Sequence, residues 1–182
     1  MGVLSFFMPL RFEKTNQARL KRAKVKDLLL LMRFVREYYT FDQIPFHEEE
    51  LRQGLMLLLK EQRLGGAWLI QSQKRPVGYI LVTFGFDLEF GGRQATVTEF
   101  YLQPEHRGNG LGRIALEHVE AFAMRRGAQA LELQVTRGNS RAYYFYRSCG
   151  FEEHDRIPMS KRLEARNRLS PARWRKARER GS

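Results

Sequence analysis

Glu105 to Gly112 reads EHRGNGLG, with glycines at 108, 110 and 112, and an amphipathic helical pattern starts at Leu111. Glycine costs a helix about 1 kcal/mol relative to alanine. Three of them at a helix mouth imply a tight turn or a close approach to the backbone. The first turn of a helix exposes N–H groups with no internal partner, and the helix dipole adds roughly half a positive charge there. With no Cβ atoms in front of those donors, the stretch suits an anion, phosphate best of all. A Walker loop needs Lys and then Ser or Thr after its last glycine, but Arg113-Ile114 follows Gly112. A dinucleotide loop needs a third glycine where Arg113 stands.

Other residues able to do chemistry lie close by in sequence. Glu99 sits on the strand pattern that leads into the glycines, and Tyr143, Tyr144 and Tyr146 share the next short helix. Successive helical positions differ by about 100°, so these tyrosines cannot all face one way, and Tyr144 reads as a core aromatic. Cys149, the single cysteine, precedes Gly150-Phe151 and reads as a small packing residue. His47, His106, His118 and His154 show no metal-ligand spacing, so no metal site is expected; His118 reads as a helix-surface residue.

The elements that must position these residues follow from periodicity. ARLKRA is a short strand pattern. VKDLLLLMRFVREYYT has helical spacing, with Asp27 at its start, and FHEEELRQGLMLLLKEQR is a second helix ended by Gly65-Gly66. AWLIQSQ, PVGYILVTFGFDLEF and RQATVTEFYLQ then read as three antiparallel strands, the last two joined through Gly91-Gly92. The helix behind the glycines carries Leu111, Ile114, Ala115, Val119, Phe122 and Ala123 on one face and stops at Gly127. ALELQV is a further strand, NSRAYYFYRSC a helix, and GFEEHDRIPMSKRL one or two closing strands. Two helices, a meander and then strand-helix-strand-helix-strand predict a mixed α/β sheet covered on both faces.

On these residues the chain resembles the Gcn5-related N-acetyltransferases (GNAT). RGNGLG fits their R/Q-x-x-G-x-G/A loop, and Asn139, Ala142, Tyr146, Gly150 and Phe151 fit an N-x-x-A-x-x-x-Y-x-x-x-G-F pattern at the proper separation. The resemblance covers about 19–163. It implies a mostly antiparallel sheet of six or seven strands flanked by about four helices, and acetyl-CoA as cosubstrate. Arg107, Gly108, Asn109, Gly110, Leu111, Gly112 and Arg113 would wrap the pyrophosphate. A strand bulge around Phe100, Tyr101 and Leu102 would offer main chain to the pantetheine arm and the thioester carbonyl. Asn139, Ala142 and Tyr146 would lie along that arm, with Tyr146 protonating the leaving thiolate. Glu99 is the candidate base for the acceptor amine. The subgroup that acetylates ribosomal-protein N-termini places its glutamate where Gln134 stands here, so that mechanism does not carry over.

The composition of the 182 residues, 43% hydrophobic and 29% charged, is that of one globular domain. Three segments are expected: an extension over 1–18, the acetyltransferase domain over 19–163 and a basic tail over 164–182. One cysteine and no 20-residue apolar run fit a cytoplasmic protein without membrane contact. Formal net charge is +12, and nine of the 32 Lys and Arg residues lie in 161–180, so weak nucleic-acid contact is assigned to the tail. Tyr38, Tyr39, Phe41, Asp42 and the acids Glu48, Glu49 and Glu50 could rim an acceptor cleft, although acids at a helix start are already explained by its dipole. The leading reading is transfer of acetyl to a primary amine in a ternary complex, with homodimerisation open. The alternative is a nucleic-acid-associated or acyl-CoA-sensing module without turnover.

Overall fold

The computed structural model describes residues 18–161 and 163. Of the extension expected over 1–18, residues 1–17 lie outside the described residues and Ala18 opens the first strand; the basic tail over 164–182 also lies outside them. Five strands form one sheet in chain order: β1 (Ala18–Arg22), β2 (Gly65–Ser72), β3 (Arg75–Asp87), β4 (Gly92–Leu102) and β5 (Ala130–Leu133). β1 to β4 are antiparallel neighbours, and β5 pairs with β4 in parallel. Helices α1 (Leu28–Phe41) and α2 (Glu48–Lys60) cover one face; α3 (Leu111–Arg125) and α4 (Ser140–Ser148) cover the other.

Each face owns a core built from alternating strand residues. Leu69, Tyr79, Leu81 and Tyr101 meet Leu31, Phe34 and Val35 of α1, whereas Ile70, Ile80, Val82 and Val97 meet Ala115, Val119 and Phe122 of α3. The start of α1 is fixed by Asp27, whose carboxylate accepts the Lys24 N–H (3.0 Å) and pairs with Lys21 Nζ (2.8 Å). Gly65 and Gly66 lie inside β2 rather than at the helix end. A Cβ on Gly65 would come within 1.9 Å of the Val82 carbonyl oxygen, so only glycine lets β2 approach β3 there.

The sheet has five strands among the described residues where six or seven are expected. Residues 152–161, which form a unit separate from the body ending at Phe151, contain no strand. Their sequence accounts for it. Glu152, Glu153, Asp155, Arg156 and Lys161 break any apolar alternation, and Pro158 lacks a ladder donor.

Candidate active site

The glycine loop makes the turn its composition suggests. Gly108 (φ +81°) and Gly110 (φ +79°) are left-handed, and Gly110 caps α3. The Ile114 N–H reaches back to the Gly110 carbonyl (3.2 Å). The N–H groups of Leu111, Gly112 and Arg113 therefore precede the first helical bond and face out of the helix end. These residues fit a diphosphate: bare amides at a fifteen-residue helix terminus, with Asn109 between two glycines that only this backbone shape requires. Arg141, absent from the sequence argument, stands beside the loop, with one Nη 3.9 Å from where a Gly108 Cβ would be.

Gly112 also has a packing task that its spacing does not suggest. A Cβ there would meet the Phe145 ring at 3.0 Å and the Phe100 ring at 3.6 Å, so this glycine admits α4 against α3. Both flanking arginines also turn inward. Arg107 Nε donates to the Leu102 carbonyl (2.7 Å), and its guanidinium lies 4.6 Å from the Phe41 ring and 5.6 Å from that of Tyr101. Arg113 donates to the Ser148 carbonyl (3.0 Å) and hydroxyl (3.1 Å). The anion cradle is thus main chain, and these two side chains brace it.

The strand bulge exists but sits earlier than expected. β3 pairs Leu81 with Glu99 and then Val82 with Val97, so Thr98 is the extra residue, ahead of Phe100, Tyr101 and Leu102. One inserted residue reverses which face the following side chains take. Ala95 and Val97 point to the α3 side; past the bulge, Glu99 and Tyr101 point to the α1 side and Phe100 and Leu102 to the α3 side. Parallel pairing with β5 ends at Val97 and Leu133. From Glu99 to Leu102 the strand is bonded to β3 on one edge only, and its other edge opens toward the α3 N-terminus.

At this opening Glu99 is held by two phenols. Tyr39 donates to Oε1 (2.8 Å) and Tyr79 to Oε2 (2.5 Å). Burial raises the Glu99 pKa above the ordinary carboxylate value, and the two hydroxyls pull it partly back. The phenols stay protonated. Burial, then the nearby Glu99 charge, lifts Tyr39 and Tyr79, and burial followed by Asp42 and Glu99 pushes Tyr38 up to about 12.

Tyr146 packs against Phe145 and Phe151, with ring centroids 5.3 and 5.8 Å away, and its pKa is pushed up to about 12 by burial, then by Tyr38 and Cys149. Asn139 caps α4, its Oδ1 accepting the Ala142 N–H (3.1 Å), which leaves its amide NH2 to donate elsewhere. Tyr144 is a correction: it is 70% exposed, since Phe145, Tyr146 and Cys149 take the face that meets the core. His118 is half-buried, edge-on to Trp68 at 5.8 Å rather than free on the surface.

Between the end of α1 and the end of β4 lies a cleft of about 470 Å³ lined by residues including Glu37, Thr40, Phe41, Tyr101, Gln103 and Glu105. Glu37 accepts from Gln103 Nε2 (3.0 Å) and pairs with Arg33 (3.0 Å). Of the expected rim, Phe41 lines this cleft, Tyr38 packs on Tyr101 (6.0 Å) and Tyr39 holds Glu99. Glu48, Glu49 and Glu50 form the first turn of α2, and Glu48 pairs with Arg36 (2.7 Å). Tyr79, Phe145 and Arg141 are residues around the site that sequence reasoning missed, and Tyr39, expected at the rim, binds Glu99 instead. Glu99 is 60 and 20 positions from its two phenols, a relation with no local signature. No cluster of His, Cys, Asp or Glu able to hold a metal occurs among the described residues, and no helix among them is long and apolar enough to cross a membrane.

Comparison with known proteins agrees with this geometry. The chain is 24% identical over 123 residues to the uncharacterized N-acetyltransferase MJ1207 of Methanocaldococcus jannaschii, a match spanning 67% of this chain and 54% of that protein. It therefore spans about half the length of that relative. It is 27% identical to bovine thialysine N-epsilon-acetyltransferase over 74% of this chain and 84% of that one. An integron cassette protein from the Cole Harbour salt marsh metagenome superposes with a TM-score of 0.71 at 30% identity, covering 80% of this chain and 91% of its own. The family model of the acetyltransferase (GNAT) family matches residues 30–151, well over half of the sequence, and the chain belongs to that family.

Proposed function

We propose that this chain moves the acetyl group of acetyl-CoA to a primary amine by direct attack within a ternary complex, with 19–163 as the catalytic domain. One observation carries the reading: the pairing of β4 with β5 stops at Val97–Leu133, leaving a bare strand edge that runs to the uncapped amides of α3. The amides suit a diphosphate and the edge suits an extended amide-bearing arm. Acetyl-CoA has both a diphosphate and such an arm and supplies the activated acyl carbon.

Free amines have pKa near ~10 and arrive protonated. Glu99, with its pKa raised, accepts the ammonium proton directly or through one water. The amine nitrogen then bonds to the acyl carbon, the carbon–sulfur bond breaks, and Tyr146 donates its phenolic proton to the departing sulfur. Solvent reprotonates the phenolate. The Tyr146 phenol, its pKa pushed up to about 12 by burial, carries a proton to give throughout the working pH range. The acidic and aromatic cleft beside α1 favours a cationic acceptor, and the likeness to a thialysine acetyltransferase points the same way.

The test is release of free thiol from acetyl-CoA across polyamines, aminoglycosides, amino acids and N-terminal peptides. Amine-dependent release with a mass gain of one acetyl group supports the proposal. Binding of acetyl-CoA without release for any amine would instead establish an acyl-CoA sensor.

A further inference from the structure

Glu99 is the carboxylate on which the proposed chemistry depends, and its surroundings are unusual for a base. Its two oxygens are taken by different phenols from different elements, Tyr39 on α1 at 2.8 Å and Tyr79 on β3 at 2.5 Å. Tyr79 has no exposed surface and packs on Phe34 (ring centroids 6.4 Å). Tyr39 is half-buried, set edge-on against Tyr38 and Phe46. α1 also brings Tyr38 toward the carboxylate and β4 brings Tyr101, while α2 packs Leu51, Leu55 and Leu58 into this core. Among the described residues no ion pair joins a cation to Glu99. The carboxylate is held in a buried place by neutral donors alone.

We infer that Tyr79 and Tyr39 are positioning residues of the reaction, clamping Glu99 so that it stays ionised near neutral pH, with its Oε1 on the side of the half-buried Tyr39. The inference rests on the proposed role of Glu99 as base. Neutral donors suit that role better than an arginine or lysine would. A cation at the same distance would hold the pKa far down and leave a poor base, whereas no donor would leave burial unopposed and the acid protonated. Two phenols give an intermediate setting. They differ in burial: Tyr39 is half-buried, whereas Tyr79 has no exposed surface at which water could replace its hydroxyl.

The experiment is a carboxyl ¹³C NMR titration of Glu-labelled full-length protein, with Glu99→Gln identifying the resonance, beside the pH dependence of kcat/KM. Tyr79→Phe keeps the ring and removes one hydrogen bond to the ionised form. The Glu99 pKa should rise by about one unit or more, and the acid limb of kcat/KM should rise with it. Tyr39→Phe, at a less buried and more tolerant position, should produce a smaller upward shift in both. A Glu99 pKa that stays put in both variants overturns the clamp. A pKa that rises while the kcat/KM limb does not move leaves the hydrogen bonds real but removes Glu99 as base, and with it the catalytic role of the two tyrosines.

Discussion

Replacing Gly112 by alanine separates two explanations of the glycine loop. A methyl at this position would lie 3.0 Å from Phe145 Cζ, 3.4 Å from its Cε2 and 3.6 Å from Phe100 Cζ. Carbon atoms rest at about 3.5–4.0 Å, so the Phe145 ring must retreat by roughly 0.5–1 Å. It cannot do so freely, because α4 is tied to α3 by the Arg113 bonds to Ser148. Overpacking of this kind costs about 1–3 kcal/mol, offset by up to about 1 kcal/mol from alanine's better helix propensity. A net loss of about 1–2 kcal/mol corresponds to a melting point lower by roughly 2–8 °C for a chain of this size. Thermal melts of the ligand-free protein read it directly. Phe145→Leu in the Gly112→Ala background should recover part of the loss, a coupling the two separate substitutions do not share. An unchanged melting point combined with weaker coenzyme A binding would refute this reasoning and return Gly112 to the ligand.

Three further outcomes follow from the site. Tyr146→Phe should lower kcat by about 10²-fold or more while the dissociation constant for acetyl-CoA, measured by calorimetry, stays within about twofold. Glu99 has a raised pKa, so kcat/KM should climb with pH through a midpoint above 4.5, the ordinary value, and Glu99→Gln should abolish that limb in a stopped thiol-release assay. Gly110→Ala forces a side chain onto φ +79° at the cap of α3, at about 1–2 kcal/mol, and should weaken coenzyme A binding as the amides lose their aim.

The sequence carried the elements and the cradle, since both are local. Of the apolar positions whose spacing indicates that helix, Leu28, Met32, Phe34 and Val35 are buried in α1 whereas Leu29 is exposed, and two glycines of the loop adopt the left-handed turn their composition implies. The chemistry around Glu99 was legible only in part. Its face is decided by one extra residue, Thr98, and period-two counting without that bulge sends Glu99 to the same side as Val97. Tyr79 reads as an ordinary core aromatic until the register pairs it with Tyr101, two positions from Glu99. The packing role of Gly112 was not legible because a glycine needed for a ligand and one needed for a neighbouring ring look identical in a string of letters. The closing strands failed for a similar reason: Ile157 and Met159 suggest alternation, but charge and Pro158 oppose it.

The most direct test of the account is an amide ¹H–¹⁵N titration with coenzyme A. The largest shifts are expected at Gly108 and Gly110 through Arg113, followed by Phe100 to Leu102 along the open edge of β4. Saturating coenzyme A that leaves those amides unmoved, or moves only residues elsewhere, would contradict it.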